Sequence, residues 1–415
     1  MREMKASGIS WVGEIPKEWS VNRAKYCFVN TKEIAGCMSD RYERLALTMN
    51  GVIKRSKDDS NGLQPEKFET YQILRPDELV FKLIDLQNVS TSRVGLSPYL
   101  GLVSPAYIIL KSNKRVLPAF AEKYFLMLWK NQIFNALGDA GVRSNLNSKD
   151  LLELSIPFPA IGEQQRIAEF LDGECGKIDG LKADIQAQID TLEQYKRSII
   201  TEAVTHGLNP SAPMKDSGIP WVGKTPEYWK VGRIGGLYEL RNQKVSDKDF
   251  MPLSVTMKGI LPQLETAAKT NDGDNRKLVR VGDFAINSRS DRRGSCGISD
   301  YDGSVSLINT ILKPRNRMNA KYYNWLFHTP MFADEFYKWG HGIVDDLWTT
   351  NWSEMKRISI PLPPLDEQQE IADYLDNKCA EIEQIIADKK TQIETLDGYK
   401  KSLIYEYVTG KKEVV

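Results

Sequence analysis

A 53-residue segment occurs twice in this chain. Residues 156–208 and 360–412 align without a gap at a constant offset of 204, and 25 of the 53 positions are identical. The first copy runs from IPFP through EQQRIAEFLDGECGKID to LEQYKRSIITEAVTHGL, and the second from IPLP through EQQEIADYLDNKCAEIE to LDGYKKSLIYEYVTGKK. Within the first, Leu171, Ile178, Ile185, Leu192 and Ile199 recur every seven residues, with Leu181, Ile189 and Tyr195 widening the stripe. This spacing predicts a helix with one apolar seam. In the second, Leu375, Ile382, Leu396 and Leu403 hold the same positions, Lys389 interrupts, and Ile385, Ile386 and Ile393 compensate. No proline falls between 163 and 205 or between 367 and 409. A helix of roughly 38 residues would be about 57 Å long, more than its own small domain could cover. Each helix therefore needs a partner, and its own duplicate is the obvious one.

Two further echoes make the duplication chain-wide. SGISWVGEIPKEWSVNR (7–23) returns as SGIPWVGKTPEYWKVGR (217–233) with ten of 17 positions identical, including Trp11/Trp221, Pro16/Pro226 and Trp19/Trp229. Rings spaced around a fixed proline turn suggest a segment that clamps onto the protein's own helices rather than one that stacks on bases. GLSPYLGLVSPAYIILK (95–111) returns as GISDYDGSVSLINTILK (297–313) with nine identities in 17. VSPAYIIL and VSLINTIL read as short buried strands after a Gly-bounded turn, and ELVFKL (78–83) and DFAIN (283–287) as strands upstream. Aromatic-rich stretches at 118–137 and 320–339 have helix-like spacing and predict core helices. A chain of 415 residues is long for one core, so two domains are expected. The reading is α+β: mixed domains at 1–160 and 209–364, with long helices at 161–208 and 365–415.

The formal net charge of +1 hides segregation. Residues 163–202 carry nine acidic and five basic side chains, whereas 276–293 carry six basic residues against Asp283 and Asp291. No apolar run approaches the roughly 18–20 residues of a membrane span, and MREMKASG lacks a signal-peptide core, so a cytoplasmic protein is expected. Cys27, Cys37, Cys175, Cys296 and Cys379 form no CxxC pair and have no histidine at metal-ligand spacing, which argues against a disulfide framework or a zinc site. Cys175 and Cys379 share one repeat position and read as small packing residues.

One literal catalytic motif exists, GIPWVGKT at 218–225, which satisfies G-x-x-x-x-G-K-[ST]. Phosphate cradling needs that loop between a strand and a helix. Here Pro220, Trp221 and Pro226 intrude, and the first copy has Glu14 in place of Lys224. With three histidines (His206, His328, His341), no G-x-S-x-G and no H-E-x-x-H, the chain is not expected to be catalytic. A nucleotide-binding enzyme and a coiled-coil scaffold without a DNA role are the alternatives. Recognition remains. NSRSDRRG (287–294) can offer Arg to phosphates or guanine edges and Asn to adenine. The candidates are Arg276, Lys277, Asn287, Arg289, Ser290, Arg292 and Arg293 in the second half, and Lys54, Arg55, Lys57, Arg93, Arg143, Ser144 and Asn145 in the first.

The duplicated SGI(S/P)WVGxxPxxW and IPxPxxxEQQxIAxxLD, the latter opening the long helix, resemble the specificity subunits of type I restriction–modification systems. The resemblance covers most of the chain. It implies two pseudo-symmetric mixed α/β target-recognition domains separated by two long antiparallel helices that form an intramolecular coiled coil. It also implies that each domain reads one half of a split double-stranded DNA site, that the helices space the halves, and that two modification subunits dock on the helices and neighbouring segments. S-adenosylmethionine for adenine methylation, and ATP with Mg for restriction–translocase subunits, would sit on those partners and none on this chain.

Overall fold

The alternation and glycine turns of each half close small sheets, and the seven-residue periodicity closes helices. The computed structural model describes residues 2–59, 67–86, 91–138, 145–263, 273–289, 292–315, 318–342 and 348–414. The chain forms two compact units, residues 1–185 with 390–415 and residues 186–389, so the division falls inside both long helices.

In the first unit, one antiparallel sheet is ordered Phe28–Thr31, Ile108–Ser112, Leu79–Phe81, Val94–Leu96. A second is ordered Gly51–Arg55, Arg44–Thr48, Gly101–Val103, Gln72–Leu74. The stretch read as one strand at 103–110 is thus two. A turn closed by Tyr107 N–H donating to the Ser104 carbonyl divides it, and its halves join different sheets. The aromatic stretch forms helices Pro118–Lys130 and Ile133–Leu137, broken where Gln132 takes φ 61°.

The second unit repeats the order of the first sheet and part of the second. Its sheets are Tyr238–Leu240, Asn309–Pro314, Phe284–Asn287, Cys296–Ile298, then Lys244–Val245, Arg276–Val279, Gly303–Val305, with a separate hairpin Leu253–Thr256 and Gly259–Pro262. Its aromatic helix breaks at Thr329, which caps Pro330–Lys338. Proline at that first helical position suits a start and forbids a continuation.

The long helices are Ile161–His206 and Leu365–Val408, 46 and 44 residues. In the first unit Lys182 pairs with Asp397 (2.5 Å) and Lys400 with Asp179 (2.6 Å). In the second, Lys196 pairs with Glu383, and Lys389 donates to Gln188 Oε1 at 2.5 Å. As one residue number rises its partner's falls, so the helices run antiparallel within each unit. Leu171, Ile178, Ile199, Leu375, Ile382 and Leu403 are buried, and Ile185, Leu192 and Leu396 half-buried, as a seam requires. Leu181, Tyr195 and Ile385 do not widen it: they are exposed, one step round the helix from the seam, while Ile189 and Ile386 are buried.

The opening repeats are latches on these helices. Trp19 and Trp229 are buried, and their indole N–H groups donate to Glu163 Oε2 (3.0 Å) and Glu367 Oε2 (2.9 Å). The next residue of each EQQ motif, Gln164 or Gln368, is also buried. Its amide nitrogen donates to the Pro159 or Pro363 carbonyl, and its oxygen accepts from Leu117 N–H or Asn319 N–H. Gly410 and Gly207 lie where an added Cβ would strike Pro16 and Trp19, or Glu367 and Trp229.

Candidate nucleic-acid interface

Strand Gly51–Arg55 carries Lys54 and Arg55 on opposite faces, and Lys57 follows it. Lys54 pairs with Glu43 (2.6 Å), which raises its pKa, and its ammonium lies 5.4 Å from the Tyr99 ring centroid. Arg55 pairs with Asp59 (2.7 Å), and Lys57 donates to the Ser39 carbonyl (2.8 Å) beside the Phe68 ring. Arg93 and Asn145 belong to another place: both hold Asp85, which has φ 52°. Arg93 Nη2 donates to the Asp85 carbonyl (2.6 Å), and Asp85 N–H donates to Asn145 Oδ1 (3.0 Å). Arg93 is fully buried, and desolvation lowers its pKa. Its guanidinium therefore braces a loop rather than meeting a phosphate. Arg143 and Ser144 lie outside the described residues.

The second unit divides its candidates the same way. Arg276 is buried and donates from Nε to Ser304 Oγ and from Nη2 to the Ser304 carbonyl, both at 2.9 Å. Lys277 donates to the Asn309 carbonyl (2.7 Å), with its pKa lowered by burial. Both cations tie strands together, a role that charge counting does not separate from a DNA contact. Asn287, Arg289 and Arg293 instead line a shallow surface cleft shared with Phe332, Tyr337 and Trp348. Asn287 Oδ1 accepts from Arg289 N–H (3.0 Å), while Arg293 lies 4.0 Å over the Tyr337 ring and pairs with Asp334 (3.0 Å). A cation stacked on a ring beside a polar amide can engage a nucleobase face or edge. Arg292 is exposed next to it, and Ser290 lies outside the described residues.

The nucleotide alternative fails on geometry. Residues 218–225 form the turn and second strand of the hairpin Met214–Ile219 and Gly223–Pro226, with Thr225 buried. Strand Lys230–Arg233 follows, so the loop does not lead into a helix N-terminus. No cluster of three or more His, Cys, Asp or Glu among the described residues is arranged to hold a metal ion, and no described helix is long and apolar enough to cross a membrane.

Sequence reasoning missed a fourth echo. LTMNGVIK (47–54) and VTMKGILP (255–262) are the same hairpin, 208 residues apart. Only Thr, Met and Gly of the eight positions are identical, which hid it.

Residues 84–191 and 226–395 match the family model described as "Type I restriction modification DNA specificity domain". A Methanocaldococcus jannaschii chain assigned as the specificity subunit of type I restriction enzyme MjaX is 23% identical, over 97% of this chain and 96% of that one. The EcoKI specificity subunit of Escherichia coli K12 is 20% identical over 85% and 81%. A solved structure from work on complex assembly and conformational transition of a type I R-M system shares the fold, with TM-score 0.69 and 13% identity over 96% of this chain and 99% of that one.

Proposed function

The chain belongs to the type I restriction–modification DNA specificity family, and on that premise we propose that it reads a bipartite double-stranded site, one half with each unit. The observation that carries this reading is one four-stranded sheet order and one latch repeated in both units under different polar side chains. Lys54, Arg55 and Lys57 stand on one copy; Asn287, Arg289 and Arg293 line a cleft on the other. Two base sequences read from one scaffold require that contrast.

Chemistry then belongs to partners. Two modification subunits would methylate adenine with S-adenosylmethionine, and restriction–translocase subunits would use ATP and Mg. The helices offer the modification subunits a repeated surface. Leu181 and Tyr399 in the first unit are 53% and 54% exposed, and Tyr195 and Ile385 in the second 47% and 44%. Each lies three residues beyond a seam residue: Ile178, Leu396, Leu192 and Ile382. Apolar surface that recurs at equivalent positions suits two copies of one partner. The long helices, continuous through both units, would set the separation of the half-sites. Footprinting of this chain co-purified with its modification subunits should reveal two unlike protected half-sites; a single contiguous or absent footprint would refute the reading.

A further inference from the structure

The hairpin that the sequence concealed has no role in the latches, the seam or the cleft. In the first unit strands Arg44–Thr48 and Gly51–Arg55 pair with Thr48 opposite Gly51; in the second Leu253–Thr256 and Gly259–Pro262 pair with Thr256 opposite Gly259. The turns are therefore Met49-Asn50 and Met257-Lys258. Each is locked alike. The threonine hydroxyl donates to the glycine carbonyl (3.0 and 2.9 Å) and accepts the N–H of Asn50 or Lys258 (3.1 Å in both). Gly51 and Gly259 take φ 87° and 103°, which a side chain rarely tolerates.

The roots are anchored as firmly as the tips. Leu45, Leu47 and Val52 are buried with Val80, Val103 and Ile109, and Leu253 and Ile260 with Val279, Val305 and Ile311. Gly95 and Gly297, both from the GxSxYxG echo, let the hairpins lie close: an added Cβ would fall 2.7 Å from Leu47 Cδ1 or 2.8 Å from Gly259 Cα. The tips, by contrast, leave Met49 51% and Met257 71% exposed. Asn50 and Lys258 are exposed too, and their side chains have no hydrogen-bond or ion-pair partner among the described residues. A rigid support holding out a bare methionine beside an idle polar group is arranged for a ligand.

We propose that these two hairpin tips enter the major groove, one in each half-site, where Met49 and Met257 pack on base edges and Asn50 and Lys258 select the base. This rests on the DNA-specificity reading above. A two-stranded ribbon fits the major groove, Asn pairs with adenine, Lys with guanine, and apolar side chains meet the thymine methyl. Strand Gly51–Arg55 runs from the first tip directly into Lys54, which a phosphate could draw from Glu43. A protein partner is the poorer occupant. Two copies of one partner call for the same contact twice, as Leu181/Ile385 and Tyr195/Tyr399 provide, whereas the tips repeat everything except the residue that would read the base.

The test uses the complex with modification subunits and maps its methylated half-sites. Lys258→Asn should replace a guanine preference by adenine in the second half-site and leave the first half-site and the spacing alone; Asn50→Lys should do the reverse in the first. Met257→Ala should weaken specific binding about tenfold without altering assembly. Unchanged half-sites in both exchanges would overturn the proposal, as would a Met257→Ala complex that assembles poorly but binds DNA normally once assembled. The parent reading fails separately, if the wild-type complex itself has no bipartite site.

Discussion

A buried indole N–H needs an acceptor, and in each unit that acceptor is the first residue of EQQ. Glu163 also receives Arg2, whose guanidinium donates to its Oε1. Glu163→Ala should cost about 1–3 kcal/mol, the usual penalty for orphaning a buried donor, and Glu163→Gln clearly less, because an amide oxygen can still accept from Trp19. Urea midpoints decide it; equal losses for the two variants would show that the carboxylate charge, not the acceptor, is what matters. The phenols make a second residue-scale prediction. Burial raises the pKa of Tyr124, Tyr238, Tyr322 and Tyr323 above the ordinary value of about 10. Below that value both folded and unfolded chains keep these protons and the groups do not alter stability. Above it the unfolded chain releases them while the folded chain holds them, so stability falls as pH rises. Phenolate absorbance should therefore appear together with loss of near-UV circular dichroism, and phenolate formation in the intact fold would contradict this.

Along the long helices two neighbours three residues apart have opposite duties. Ile178 is 4% exposed in the seam, and Leu181 faces out. Ile178→Ala should cost about 2–5 kcal/mol, while Leu181→Ala should stay within about 0.5 kcal/mol yet weaken capture of the modification subunits. A destabilised Leu181→Ala variant would place that side chain in the core after all. The seam and the aromatic helices were legible because burial on a helix leaves a helical rhythm, and strands 79–81 and 284–287 because a buried strand leaves a short apolar run. Leu181, Tyr195 and Ile385 were misread as seam because periodicity records apolarity, not which partner covers it. Of the basic candidates, Lys54, Arg289 and Arg293 stand on outward or cleft-lining surface, whereas Arg93 and Arg276 are consumed by the fold. Arginine has the same letter in both settings, and only the positions of the Asp85 and Ser304 carbonyls separate them. The TMxG hairpins were invisible for another reason: three shared residues carry too little signal until their strands are seen to pair.

For the whole molecule, the antiparallel seam turns helix length into a measurable variable. Gln188 and Lys389 are hydrogen-bonded across it, so an insertion at those two points together keeps every other seam contact in step, whereas an insertion in one helix alone would slide the partners apart. One heptad added after Gln188 and one after Lys389 extends each helix by about 10.5 Å, close to 3 base pairs of DNA. If the helices set the separation of the half-sites, methylation mapping of the complex should show both half-site sequences intact and the gap between them longer by about 3 base pairs. Affinity should also fall, because 3 base pairs rotate one half-site by about 100° around the DNA axis relative to the other, and the recognition elements must follow. Three heptads in each helix, about 31.5 Å or roughly 9 base pairs, keep the seam in register and come close to a full turn of DNA, so they should restore part of that affinity by bringing both half-sites nearly back to the original face. An unchanged gap in the one-heptad variant would mean that DNA bending, not helix length, sets the spacing, and that the seam serves only to hold the partners' docking surface.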